Sequence, residues 1–155
     1  MNEYLVVKWL HVLSSTILFG TGIGSAYYML SASLTRDGRV VHAVTRHVVI
    51  ADWVFTATTV IVQPLTGLWL AGLANIPLSS AWVAYSIALY LVAGVCWLPV
   101  VWIQIRMRDM AKAAMLAGAP LPERYWKFLR IWMALGIPAF AALVAVFWLM
   151  VAKPV

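Results

Sequence analysis

Three histidines are the side chains in this sequence with the widest chemistry, because a neutral imidazole can ligate haem iron, copper or zinc. They are His11, His42 and His47, and each is a candidate metal ligand. A purely structural interpretation stays open for all three. Within a membrane His11 can hydrogen-bond Ser15 or a neighbouring helix, and His42 and His47 can be solvated among lipid headgroups.

A row of polar residues forms the second candidate site. Starting at Asp52, the spacings are 4, 3, 4 and 3 residues, which keeps the side chains on one face of a packed helix. The row consists of Asp52, Thr56, Thr59, Gln63 and Thr66. Such a face is costly towards lipid, so it should face the bundle interior or a partner. A carboxylate there indicates a proton path or, alternatively, a structural pair with a basic side chain.

Two arginines, Arg46 and Arg130, are candidates for binding carboxylates such as porphyrin propionates, since a guanidinium donates two parallel hydrogen bonds. The alternative is that they only orient the protein by their charge. Cys96 is the single cysteine, so one chain offers no disulfide and no thiolate cluster. No catalytic residue is assigned, and whether the protein is an enzyme stays open.

The elements that position these residues follow from the hydropathy. The chain is 65% hydrophobic and 10% charged, with a mean hydropathy of +0.93. Three long stretches lack charged residues, and the middle one is long enough for two passes, with LANIPLSS at 73–80 as the turn. We predict an all-α fold, a polytopic four-helix transmembrane bundle in one integral membrane domain, 1–155, with helices at about 4–33, 41–73, 81–107 and 124–152.

The basic residues orient this bundle. Nine of the eleven lysines and arginines lie around the loops between the first and second and the third and fourth helices, and only Lys8 and Lys153 lie at the other side. By the positive-inside rule those loops face the cytoplasm and both termini lie outside. The net charge of +6 is therefore explained by orientation in a membrane and does not indicate nucleic-acid binding.

Depth separates the histidines. The first helix runs inward and the second outward, so His11 and His47 should lie roughly 15–20 Å apart at 1.5 Å per residue. One chain cannot clamp a single iron between them. A haem on His11 would need Met, Tyr, water or a second subunit as its other axial ligand, and His47 or His42 would hold another haem. Gly20 and Gly24 also have the GxxxG spacing that permits close helix approach.

Four segments of the chain resemble known membrane proteins. They are KWLHVLSSTILFGTGIGSAYYM, TRHVVIADWVFTATTVIVQPLTGLWL, LPVVWIQIRMRDMA and IPAFAALVAVFWLMVAKP. Together they resemble a bacterial family of predicted four-helix integral membrane proteins of unknown function. More distantly, the arrangement is similar to HemJ-type membrane protoporphyrinogen oxidases and CopD-like copper-resistance proteins. This resemblance implies a bacterial cytoplasmic (inner) membrane location.

The HemJ-type resemblance is carried by few positions. WLH at 9–11 resembles the start of the helix with the proposed haem histidine, which implies His11 as the equivalent residue. Arg46 resembles the arginine that opens the second helix, and PLTGLWL at 64–70 resembles its end. Arg130, with Lys153 and Pro154, resembles the last helix. The chain departs from that family because its fourth helix reads WMALGIP and does not hold Asn-Glu before the proline, so porphyrinogen oxidation is not implied.

The leading hypothesis is a membrane haem b-binding protein that transfers electrons or protons, with a quinone as a possible partner. The alternative from another class is a non-catalytic structural or accessory subunit, as a homo-oligomer or within a larger membrane complex. A small copper or proton transporter is a third hypothesis, and copper is the weaker cofactor because methionine clusters are few and cysteine is single.

Overall fold

The computed structural model describes residues 2–154 and contains four helices that are long and apolar enough to cross a membrane. They confirm the predicted all-α, four-helix class. The elements are α1 (Glu3–Leu34), α2 (Gly38–Ala51), a π-helical turn (Asp52–Thr56), α3 (Ala57–Leu73), α4 (Ala81–Ala117) and α5 (Glu123–Ala152). The second span is continuous from Gly38 to Leu73 and consists of α2, the π turn and α3.

Local chemistry accounts for the helix ends. The Asn2 side chain caps α1 by accepting from the Tyr4 N–H, and Asp37 caps α2 by accepting from the Arg39 N–H at 2.8 Å. α4 continues to Ala117, whereas hydropathy places its end near 107, because its charged extension has a buried apolar face and is amphipathic. Gly118 then ends it with φ +59°, a left-handed conformation that favours glycine.

The two ends of the bundle differ in their packing. We call the end with the 35–37 and 118–122 loops the basic end, and the end with the termini and the 74–80 turn the opposite end. At the basic end the extensions of α2 and α4 pack with α1 and α5 around one apolar cluster. Its members are Met29, Val41, Val48, Val100, Ile103, Met107, Ala111, Ala114, Leu121, Tyr125, Leu129 and Trp132.

Towards the opposite end, α1 packs mainly on α3, and α4 packs mainly on α5. Aromatic side chains bridge these two pairs. The Phe19 ring of α1 stacks on Phe140 of α5 with centroids 4.9 Å apart, and the Tyr90 hydroxyl of α4 donates to the Val60 carbonyl at 2.8 Å. Large apolar side chains cover the outer faces, as lipid contact requires.

Candidate functional site

The polar row on the second span starts at a buried carboxylate within the irregular part of the helix. Asp52 opens the π turn, and the Ala57 N–H bonds to the Asp52 carbonyl five residues back. The Asp52 side chain is 5% exposed, accepts a hydrogen bond from the Thr56 hydroxyl at 3.0 Å and adjoins the side-chain amide of Gln104 on α4. Single π turns of this kind occur frequently at functional sites.

No basic side chain forms an ion pair with Asp52 in residues 2–154, where the one ion pair joins Arg108 to Asp109 at 2.8 Å. The Gln104 side chain is 3% exposed, and its Oε1 has no hydrogen-bond partner there. Asp52, Thr56 and Gln104 therefore form a small buried polar cluster, which we call the Asp52 cluster. Its polar groups have unused hydrogen-bonding capacity and no compensating positive charge.

Beyond the Asp52 cluster, the hydroxyl groups of the polar row form hydrogen bonds to carbonyls of their own helix. The Thr59 hydroxyl donates to the Phe55 carbonyl at 2.6 Å, and the Thr66 hydroxyl donates to the Val62 carbonyl at 2.7 Å. Both threonines are buried, and Gln63 is half-buried. The row thus lies on one inward face, but its hydroxyls do not form a chain of bonds to one another.

At the other end of the row, the Thr66 hydroxyl meets His11. His11 Nδ1 lies 2.8 Å from Thr66 Oγ1, which ties α1 to α3. Gly67 permits this approach, because a Cβ atom at that position would lie 3.2 Å from His11 Cε1. The ring has no hydrogen bond at Nε2 to any of the residues that the structure describes. We call His11, Gln63, Thr66 and Gly67 the His11 cluster.

The Gln63 amide approaches the same edge of the ring and can turn in two ways. With its nitrogen towards α1, it donates to the His11 main-chain carbonyl at 3.2 Å and lies 2.9 Å from Nδ1. With its oxygen there, it accepts from the Ser14 hydroxyl at 3.0 Å. The first orientation satisfies more groups and makes Nδ1 an acceptor, whereas Nδ1 donates to Thr66 Oγ1 when the Thr66 proton is directed to the Val62 carbonyl.

The other candidate residues lie near the basic end and apart from His11. Arg46 and His47 are exposed on α2, and His42 is half-buried with no described partner for Nδ1. Arg130 is exposed on α5, where its Nε donates to the Trp126 carbonyl at 3.4 Å. Residues 2–154 contain no group of three or more His, Cys, Asp or Glu side chains able to hold a metal ion. The histidines therefore do not combine into one site.

The sequence does not identify several features of the two polar clusters. The partner of His11 is Thr66 and not Ser15, whose hydroxyl donates to its own helix at Val12. Gly67 carries a signal in retrospect, since a glycine beside a polar position in a membrane helix permits close approach. The π turn gives no such signal in the sequence, because it changes the helical period inside a stretch whose residue pattern predicts a regular helix.

The family described as "Predicted integral membrane protein (DUF2269)" matches residues 5–154, a range that includes both polar clusters and all four spans except the first two residues of the first span. The curated proteins give no match to the chain. Neither do the solved structures.

Proposed function

The chain belongs to the DUF2269 family of predicted integral membrane proteins, and we propose that it is a membrane haem b protein with a redox role, in which His11 is an axial ligand. A bound haem would supply one-electron chemistry. The resemblance of WLH at 9–11 to the first helix of HemJ-type proteins suggests haem as the cofactor, and the geometry of the His11 cluster supports His11 as its ligand. The proposal includes a bacterial cytoplasmic membrane location and exchange of electrons or protons with a partner such as a quinone.

The observation that carries the proposal is the arrangement of polar groups around the imidazole. Every polar contact of the His11 ring is made at Nδ1, which leaves Nε2 for an iron atom. A metal-ligating histidine ordinarily donates its other N–H to an oxygen, which fixes the ring and raises its basicity. Thr66 Oγ1 is suited to accept that proton, because its own proton is directed to the Val62 carbonyl.

Gln63 sets the condition for ligation. With its amide nitrogen at 2.9 Å from Nδ1, the ring carries its proton on Nε2 and cannot bind iron there. Rotation of the amide turns its oxygen to the ring, so that Nδ1 donates and the Nε2 lone pair becomes free. In this proposal Gln63 is a positioning residue that selects the imidazole tautomer.

The arginines do not fit the same haem. Arg46 precedes Thr66 by twenty positions on one continuous span, which places it about 30 Å away at 1.5 Å per residue. We propose that Arg46 and Arg130 contact either a quinone or the propionates of a second haem at the basic end. In the second case His42 or His47 would ligate that haem. Asp52, in the same half of the span, would exchange protons with the cytoplasm.

The test is a reduced-minus-oxidised optical spectrum of the purified protein with a pyridine haemochrome assay and a haem-to-protein ratio. We expect a b-type spectrum in the wild type and, in His11→Ala, the loss of the haem held at the His11 cluster, seen as a lower haem-to-protein ratio. The matched control is Ser15→Ala on the same helix, whose hydroxyl donates to the Val12 carbonyl, and it should keep the wild-type ratio. Intact protein that is purified after expression with sufficient haem and shows no haem absorbance would overturn the proposal.

An accessory-subunit function is the second candidate, and one observation favours it. Apart from its chain neighbours and the adjoining backbone of α1, a Cβ atom at Gly20 or Gly24 would have no atom of the described residues within 4 Å, so their GxxxG face is free of packing against other helices of the chain. Such faces support helix association in membranes. If His11→Ala abolishes assembly into a larger complex and no variant or wild-type sample shows haem, this second function replaces the first.

A further inference from the structure

The surface of the basic end contains a groove between α4 and the start of α5 that no part of the proposed haem site uses. It has a volume of about 510 Å³. Its lining residues are Arg106, Asp109, Met110, Ala113, Pro122, Arg124 and Phe128. We call it the α4–α5 groove. We propose that it binds the phosphate headgroup of an anionic phospholipid in the membrane leaflet at the basic end.

The charge of the groove suits a phosphate. Arg106 and Arg124 are exposed, and neither is in the ion pairs of residues 2–154. Asp109 also lines the groove, but both Nε and Nη2 of Arg108 donate to its Oδ1, at 2.9 and 2.8 Å. The carboxylate is thereby neutralised locally, and the two remaining guanidinium groups give the groove an excess of positive charge. Guanidinium groups bind phosphate oxygens bidentately.

Aromatic side chains hold both arginines close to the groove. The Arg106 guanidinium lies over the Trp102 ring at 5.3 Å, and the Arg124 guanidinium lies over the Phe128 ring at 5.2 Å. The two rings are themselves in contact, with centroids 5.7 Å apart. Cation–π contacts of this kind restrict the arginines without using the hydrogen bonds that would bind a phosphate. The site is thus pre-organised for an anion.

The start of α5 adds donors on the same side. Pro122 is the N-cap of α5 and makes no side-chain capping bond, and the Tyr125 N–H donates to its carbonyl at 2.9 Å, so the N–H groups of Glu123 and Arg124 keep their capacity to donate. Helix N-termini favour anions for this reason. Glu123 is exposed in the first turn and does not line the groove. The helix end therefore supports the arginines and does not act alone.

Depth and lining identify a lipid as the occupant. Arg106 directly follows the last uncharged residue of the middle run, and Trp102 lies one turn earlier with 49% of its surface exposed, as in an interfacial aromatic belt. Headgroup phosphates lie at this level. Met110, Ala113 and Phe128 give the groove an apolar wall that suits a glycerol and acyl chain better than a small soluble anion. Basic pockets between spans are a recurrent form of anionic-lipid site.

The experiment compares lipid retention by native mass spectrometry of the full chain from nanodiscs with equal phosphatidylglycerol and phosphatidylcholine. The test variant is Arg106→Gln with Arg124→Gln. Its matched control is Arg39→Gln with Lys127→Gln, which removes the same charge from exposed positions at the same end outside the groove. We expect about 30-fold weaker phosphatidylglycerol binding in the test variant, because it loses two charge-assisted hydrogen-bonded contacts to the bound phosphate. The control loses charge that does not line the groove, so its binding should weaken less than threefold.

An equal loss of phosphatidylglycerol binding in the two double variants would overturn the proposal, because the loss would then follow from net charge alone and not from the groove. A second arm titrates inorganic phosphate into the protein in pure phosphatidylcholine nanodiscs. Saturable phosphate binding that competes with phosphatidylglycerol and disappears in the test variant would assign the groove to a soluble anion instead. Circular dichroism of the test variant checks its helix content, and the single Arg124→Gln variant repeats the measurement if the double variant is unfolded.

Discussion

The Asp52 cluster and the His11 cluster end the same polar row, but the molecule surrounds them differently. Asp52 lies in the half of the bundle that is packed by four helices, where its carboxylate is 5% exposed. His11 is only half-buried and is held by the contact of two helices, α1 and α3. The difference indicates that the basic end contributes more to stability, whereas the His11 ring stays partly exposed.

The largest expected effect tests the stability side of this comparison. Tyr125 is fully buried in the apolar cluster, and its hydroxyl lies 2.6 Å from the Ser33 hydroxyl. Tyr125→Ala should lower the free energy of unfolding by about 3–5 kcal/mol, because it leaves a cavity in the packed half. The measurement is thermal unfolding in detergent, followed by circular dichroism.

Two controls sharpen that result. Tyr125→Phe removes only the hydroxyl contact and should cost about 1 kcal/mol. Phe19→Ala removes an aromatic ring from the α1–α5 bridge, where lipid can fill the space, and should cost clearly less than Tyr125→Ala. If Phe19→Ala is equally destabilising, stability is not concentrated at the basic end.

A second prediction concerns the Asp52 cluster. Asp52→Ala removes the acceptor of the Thr56 hydroxyl and the neighbour of the Gln104 amide, and should cost about 1–3 kcal/mol because buried polar groups lose partners. Asp52→Asn keeps an oxygen for Thr56, so it should unfold close to wild type. Under the proposed function, Asp52→Asn should nevertheless reduce proton uptake coupled to reduction, measured with a pH-sensitive dye in vesicles. Unchanged uptake would exclude Asp52 from the proton path.

Much of this comparison could be read from the sequence, and the reason is physical. The charge-free stretches predict four spans, and the spacing from Asp52 to Thr66 predicts an inward polar face because helix periodicity fixes which side chains align. Asp52, Thr56, Thr59 and Thr66 are indeed all buried. Assignment of these residues and of His11 to a function stays a prediction, since the comparisons show only the family.

The rest depends on tertiary structure. The contact of His11 with Thr66 results from how α1 packs on α3, which no local pattern specifies. Hydropathy places the end of α4 near 107, whereas the helix continues to Ala117, because charged residues end a hydropathy run but do not end a helix whose other face is apolar. Gln104 enters the Asp52 cluster from α4, and its polar character alone does not reveal that neighbour.

A third prediction tests the His11 side of the comparison. Thr66→Val keeps the shape of the side chain and removes the acceptor for Nδ1. Under the proposed function, haem occupancy should therefore fall about tenfold, as for loss of an outer partner of a metal ligand. Gln63→Glu offers Nδ1 a fixed acceptor and should retain or raise occupancy. Haem titration of the apoprotein measures both. Thr59→Val, a buried threonine of the same row with no contact to His11 among its hydrogen bonds, is the matched control.

The smallest expected effect addresses the free face of α1. Gly20→Leu should raise the unfolding free energy of the single chain by no more than about 1 kcal/mol through its helix propensity, because a Cβ atom at that position meets nothing within 4 Å and no packing is disturbed. The same substitution should dissociate an oligomer that uses the glycine face, and sedimentation in detergent measures its mass. Gly136→Leu on α5 has equally open surroundings and no glycine four residues away, so it is the control. Under the proposed function, the contact of α1 with α3 positions His11. A Gly20→Leu protein that is monomeric and still binds haem would then show the two proposed functions to be separable, whereas joint loss of mass and haem would mean that a second subunit completes the His11 site.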